Sequence, residues 1–401
     1  MTNYKCRYKT MTQKRIVKLL MQATIFCSVL IIIESTAKFS FKYLFPSAEN
    51  VQENASRKFE NSVTWLDNYW KEYYQAVQLR FPQQRLPLHK TFEGKYINID
   101  KNGWRKVVSE QNQITQNKIQ QNPVNKVLQN SIIENKIFLF GNSTLWGVGS
   151  PDSLTIPSLF AQKINQLAIS EHNKQIEVQN FAVCSWNSTQ MLVQLQIELQ
   201  KGNIPRTVIF LNGATDMSRT LVEGGLSEVQ NYEILSQKTA SKVGIDSNFM
   251  ATNMEYLLQR INTYKILRKL QNLSPYRLAE NNINSQNNLQ NVTKAVAKNY
   301  MLIDSLSKQY KFNYVVCWQP FSLKRAEEMH PEDVFFRNFA TAVNQEIVQQ
   351  SQLNLCPNFY NLADSLVALQ NKDGNLFLDY CHLTTFGNQY LVDILLQYYK
   401  I

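Results

Sequence analysis

The sequence predicts an α/β chain built around a mostly parallel sheet, preceded by an apolar N-terminal segment. Three observations carry that prediction. From residue 136 onward, short apolar runs of strand length alternate with stretches of helical spacing. Several strand candidates run straight into Gly, Asn or Ser, the residues of tight turns. A largely apolar run, Leu19 to Ile33, follows a basic flank. The alternation calls for parallel strands joined by right-handed crossovers, because a helix must return the chain to the same end of the sheet.

The N-terminal segment comes first. Lys5, Arg7, Lys9, Lys14, Arg15 and Lys18 all precede the first acidic residue, Glu34. A basic flank before an apolar run is the pattern of insertion with the N-terminus in the cytoplasm. These six charges make up over half of the formal net charge of +11, which removes most of the argument for a nucleic-acid partner. Residues 1–37 therefore read as a cytoplasmic tail and an uncleaved membrane anchor, with the rest of the chain extracytoplasmic. Ser35-Thr36-Ala37 also carries the small residues of a signal-peptidase site, so a cleaved signal is the alternative.

Residues 38–135 read as a membrane-proximal helical region and a polar linker. Trp65, Tyr69, Trp70, Tyr73, Tyr74 and Val77 recur at three- and four-residue steps, an aromatic stripe suited to core packing. Pro82 and Pro87 end the helix. Ser109 to Asn135 is rich in Gln and Asn without a sustained period, as a loop would be.

Residues 136–401 hold the sheet. Ile137 to Phe140 is a buried strand by composition, and the run from Ile156 has helical spacing. Ile176 to Val183 is the second strand, and Ser188 to Gln200 is a helix with Leu192, Leu195 and Leu199 on one face. Thr207 to Leu211 is the third strand. Residues 217–295 are longer than a crossover requires and form an insertion, read equally as a lid over the site or as a surface excursion. A helix from Val292 to Tyr310 leads to a fourth strand at Asn313 to Pro320. A short strand near Phe359 to Leu362 and a helix from Phe386 to Tyr399 close the chain.

Two stretches carry chemistry. The first strand delivers Ser143 to its carboxyl end, where open α/β sheets place their reactive groups. Far downstream, Asp379-x-x-His382 presents a carboxylate and an imidazole from one turn. In the order Ser, Asp, His these form a nucleophile, a group that orients the base, and the base itself. The chain has only four histidines, His89, His172, His330 and His382. Its six cysteines lack metal-ligand spacing, and buried free thiols are expected at Cys184 and Cys381. No phosphate-cradling loop and no HExxH are present, so neither metal nor cofactor is expected. Asp216, beside a strand-end glycine, reads as a structural hydrogen-bonding group.

Four blocks resemble the SGNH (GDSL-type) hydrolases: Phe140 to Ser158, Gln179 to Gln190, Val208 to Asp216 and Asp379 to Asn388. Gly94 to Arg105 is similar to a lead-in found in membrane-attached members of that family. The resemblance implies a three-layer sandwich with a flavodoxin-like, five-stranded, mostly parallel sheet. It also implies a catalytic triad of Ser143, Asp379 and His382. Ser185 stands where the family usually has a glycine whose N–H serves the oxyanion hole, and Thr215 stands where it usually has Asn. Losing one such donor costs about 10²–10³ in turnover, so a slow enzyme is expected. The implied activity is an extracytoplasmic serine esterase acting on O-acetyl or other O-acyl esters of carbohydrate. An acyltransferase on exported polysaccharide, and a non-catalytic glycan-binding or scaffold protein, are the alternatives.

Overall fold

A computed structural model of the full chain describes residues 64–80, 86–109, 135–172, 176–223, 286–322, 357–362 and 376–399, with short stretches between them. The chain divides into two compact units. One comprises Met1–Asn50 with Lys238–Pro275, and the other Val51–Gln237 with Tyr276–Ile401. In the first unit only 28–29 and 32–36 are described, and they are helical. Among the described residues no helix is long and apolar enough to cross a membrane. Most of the expected anchor, like residues 224–285 of the expected insertion, lies outside the described residues.

The second unit holds the sheet. Its elements are α1 (Leu66–Ala76), the short strands β1 (Leu79–Arg80), β2 (Leu88–His89), β3 (Phe92–Glu93) and β4 (Asn98–Ile99), and then β5 (Lys136–Gly141). There follow α2 (Ser143–Trp146), α3 (Ile156–His172), β6 (Glu177–Asn180), α4 (Ser188–Gln200), β7 (Thr207–Asn212) and α5 (Ala214–Glu223). The last elements are α6 (Gln286–Tyr310), β8 (Asn313–Trp318), β9 (Phe359–Asn361) and α7 (Thr385–Tyr398).

Strands β5 to β9 form one five-stranded sheet in the order β6-β5-β7-β8-β9, and every pair is parallel. This is the doubly wound order expected from the resemblance, with β5 between the second and third strands. The two-residue period of a strand explains the layers. Ile137 and Leu139 of β5 join a core with α1, α3 and α7, whereas Phe138 and Phe140 join the opposite core with α4 and α6. On that second face Phe140 stacks on both Phe181 and Phe210 at 5.0 Å.

The aromatic stripe of α1 packs as expected. Tyr69, Trp70 and Tyr73 are buried in the first core, and the Tyr69 hydroxyl accepts from Gly149 N–H at 2.8 Å. Burial pushes that phenol up to about 12, so it remains a neutral hydrogen-bonding group. After α1 the chain runs in two short antiparallel pairs, β1 with β2 and β3 with β4. Neither was expected, because two-residue strands carry no periodicity.

Candidate active site

Strand β5 leaves the sheet at the point where strand order reverses, and its exit is the nucleophile turn. Asn142 caps α2, its side chain accepting from Thr144 N–H at 3.0 Å. Between Ile137 and Asp152 every residue is buried except Ser143. The turn closes at Gly147, whose φ of +96° is left-handed, and a Cβ there would stand 2.5 Å from Thr155.

The second half of the site is the 376–384 loop, closed by an antiparallel bridge between Phe377 and Leu383. The loop accounts for the Asp379-x-x-His382 spacing. Asp379 Oδ1 accepts from the backbone N–H groups of Cys381 at 2.8 Å and His382 at 2.6 Å. Its Oδ2 lies 2.5 Å from His382 Nδ1. Burial pushes this carboxyl up, but the His382 imidazole and the two amides outweigh it and bring the carboxyl down to about 2. Asp379 is therefore an anion at neutral pH, which places the proton of the facing ring nitrogen on Nδ1. His382 Nε2 is then free to accept, and it lies 2.7 Å from Ser143 Oγ. The structure brings Ser143, His382 and Asp379 into one chain of hydrogen bonds.

No protein-family model matches the sequence, and no curated protein matches it at a significant level. Among solved structures, 38 chains match significantly. One is an acetyl xylan esterase, AlAXEase, with 10% identity and a TM-score of 0.37, the match covering 65% of this chain and 98% of that one. Another is a lipase/acylhydrolase from Enterococcus faecalis, with 13% identity and a TM-score of 0.36, covering 66% and 94%. A third is a catalytic mutant of Axe2, an acetylxylan esterase from Geobacillus stearothermophilus, with 10% identity and a TM-score of 0.35, covering 66% and 94%.

A buried relay joins the two halves of the site. Asn142 Nδ2 donates to Gln319 Oε1 at 2.6 Å, Gln319 Nε2 donates to Thr144 Oγ1 at 3.1 Å, and Thr144 Oγ1 donates to the Cys381 carbonyl at 3.0 Å. Each hydroxyl and amide in this relay has its donor and acceptor matched. Such networks rigidify what they connect, here the residues on either side of Ser143 and the residue directly before His382. Asn142 belongs to the sequence block around the nucleophile and Gln319 to the end of the fourth expected strand. Their pairing across 177 positions leaves no local signal.

Arg105 is a second residue whose role the sequence did not reveal. Its side chain is sealed from solvent and pairs with Asp152 at 2.8 Å. It also donates to the carbonyls of Trp146 at 3.0 Å, Gly147 at 2.8 Å and Ser150 at 2.6 Å. These are the carbonyls immediately behind the nucleophile turn, and the guanidinium lies 4.3 Å over the Trp146 ring.

Ser185 and Thr215 both stand at the carboxyl end of the sheet. The chain after β6 stays beside β5, since Phe181 N–H donates to Leu139 O and Val183 N–H to Gly141 O. Two residues further on in each segment, Ser143 and Ser185 leave the same end. Ser185 is exposed and has a φ of +66°, the left-handed region that glycine occupies without cost. Thr215 is nearly buried in the first turn of α5, directly after β7. No hydrogen bond of its hydroxyl joins it to another described residue.

Asp216 has the structural role expected of it. Buried, it accepts from Ser188 N–H at 3.0 Å and Ser188 Oγ at 2.6 Å, fastening the start of α4. Burial raises its carboxyl above the ordinary range. Trp318 is fully buried as core, and Cys184, Cys317 and Cys381 are buried free thiols. Among the described residues, the one His, Cys and acidic group close enough to share a cation is Asp379, Cys381 and His382, within 4.8 Å. Its imidazole and carboxylate are already committed to each other.

Proposed function

We propose that this chain is a serine esterase of the SGNH type. The reading rests on one observation: Ser143 Oγ, His382 Nε2 and Asp379 Oδ2 lie in series, with the serine as the accessible end. The mechanism follows from the geometry. Ser143 Oγ attacks an ester carbonyl carbon while its proton passes to His382 Nε2. The ionised Asp379 holds the imidazolium that forms. The carbonyl oxygen becomes an oxyanion, met by the backbone N–H groups of Ser143 and Ser185 with the Thr215 hydroxyl as a weaker third donor. Return of the proton from His382 to the leaving alkoxide breaks the ester bond and leaves an acyl-serine. Water, deprotonated by the same imidazole, then releases the carboxylic acid and restores Ser143.

The substrate class we assign is O-acetyl esters of carbohydrate. We place the catalytic unit outside the cytoplasm, held by an N-terminal anchor. The basic flank before Leu19 to Ile33 supports that placement, as do the exposed side chains of Val29, Ile32 and Ile33 in the helical residues 28–29 and 32–36. The test uses the purified full chain and its Ser143→Ala variant on p-nitrophenyl acetate and on an acetylated polysaccharide, alongside a fluorophosphonate probe. Acetate release and labelling confined to the wild type are expected. Equal background rates for the two proteins overturn the esterase reading. Intact mass of the membrane-extracted protein tests the anchor, since loss of residues 1–37 means a cleaved signal.

A further inference from the structure

We infer that His89 is a positioning residue that clamps the oxyanion loop to the nucleophile turn. The inference rests on the esterase reading for its kinetic consequence and on geometry for the clamp. His89 is fully buried at the end of β2, more than fifty residues before the serine block. Its Nε2 accepts the backbone N–H of Cys184 at 3.2 Å, so it holds the Val183–Cys184 peptide, one peptide before the one that carries the Ser185 N–H. Two residues away from His89, the Pro87 carbonyl accepts from Trp186 Nε1 at 2.9 Å. The segment 87–89 therefore grips the loop on both sides of Ser185. The opposite contact of the imidazole is Trp146, the last residue of the nucleophile helix, with ring centroids 5.0 Å apart and planes 33° from parallel.

The chemistry of the ring suits a fixed acceptor. Accepting at Nε2 requires a neutral imidazole with its proton on Nδ1, a buried nitrogen with no hydrogen-bond partner among the described residues. Burial, with the Arg105 charge nearby, brings His89 down to about 4, so the acceptor persists through neutral pH. The clamp has work to do because Ser185 has a left-handed backbone that a serine does not favour. Where the family usually relies on glycine, this chain holds a strained residue in place from a neighbouring strand. A donor displaced by a fraction of an ångström loses much of its effect on a developing oxyanion.

The experiment compares His89→Gln with His89→Asn. Both lose the ring, but Gln carries its amide oxygen about as far out as Nε2, whereas Asn reaches only about as far as Nδ1. On p-nitrophenyl acetate, His89→Gln is expected to keep kcat within about threefold of wild type and His89→Asn to lose about tenfold or more, each with KM within about twofold. Amide hydrogen exchange read by mass spectrometry provides a measure independent of activity. The 183–187 segment is expected to exchange faster in His89→Asn than in the wild type or His89→Gln. Equal protection in the two variants overturns the clamp, and equal kcat with unequal protection overturns its catalytic part. A wild type that is inert, with Ser143 unlabelled, fails the esterase reading and leaves the exchange comparison to decide the clamp.

Discussion

Arg105 and Asp152 are joined by a 2.8 Å ion pair in which the guanidinium is wholly buried and the carboxylate nearly so. The pair joins the segment after β4 to Asp152, five residues beyond the turn that carries Ser143, and the same guanidinium reaches that turn at the Trp146 and Gly147 carbonyls. Removing one partner of a buried pair leaves an uncompensated charge, so Arg105→Met is expected to cost about 3–5 kcal/mol. Urea unfolding measures the loss. The double variant Arg105→Met with Asp152→Leu is expected to recover part of it, and simple additivity of the two single effects would contradict the pairing.

Asp379 governs both turnover and the acid limb of stability. Asp379→Asn is expected to lower kcat by about 10⁴, since an amide no longer fixes the imidazole with its proton on Nδ1. The carboxyl lies at about 2 against an ordinary value of 3.8. A depressed value means that its contribution to stability is complete above about pH 4 and is lost as pH falls toward 2. Urea midpoints taken between pH 5 and pH 2 are expected to fall less steeply in Asp379→Asn than in the wild type. Parallel slopes would show that this group does not control the acid limb.

Ser185 has a φ of +66° and an exposed side chain, so a glycine there relieves the left-handed backbone without removing a buried side chain. Ser185→Gly is expected to stabilise the protein by about 1 kcal/mol, with Ser185→Ala near neutral. The midpoint of thermal unfolding reads the difference. A glycine variant no more stable than wild type would mean that the left-handed backbone is not strained here.

Thr215 has a short hydroxyl side chain at the exit of β7, with no hydrogen bond to a described residue. An amide at the same position reaches further toward an oxyanion. Thr215→Asn is expected to raise kcat on p-nitrophenyl acetate by about tenfold or more, with stability little changed. Unchanged turnover would remove residue 215 from the set of oxyanion donors.

Much of the sheet was legible because each strand candidate is short, apolar and bounded by turn residues. Thr207 to Leu211 was extended by a single residue, and the helix from Ser188 to Gln200 has the bounds expected of it. The Asp379-x-x-His382 pair was legible for the same reason: its hydrogen bond closes within one turn. Gln319, Arg105 and His89 carry no sequence signal that marks them as site residues. Each acts through a partner 41 or more positions away, and nothing in the local pattern of a buried polar residue names that partner. The short pairs β1–β2 and β3–β4 are not legible in the sequence, because two residues are too few for any period to register.

The sequence by itself determined the alternation of strands and helices, the doubly wound order through its resemblance, and the presence of a serine at one strand exit. Those features depend on local spacing, which the chain carries wherever it goes. Only the tertiary structure decided that Ser143 and His382, 239 positions apart, meet at 2.7 Å, and that Asn142, Thr144 and Gln319 join the two loops. It also decided that residues 87–105 reach the site. Contacts of this kind form when burial forces polar groups to find partners inside the fold, and that demand exists only once the core has closed around them.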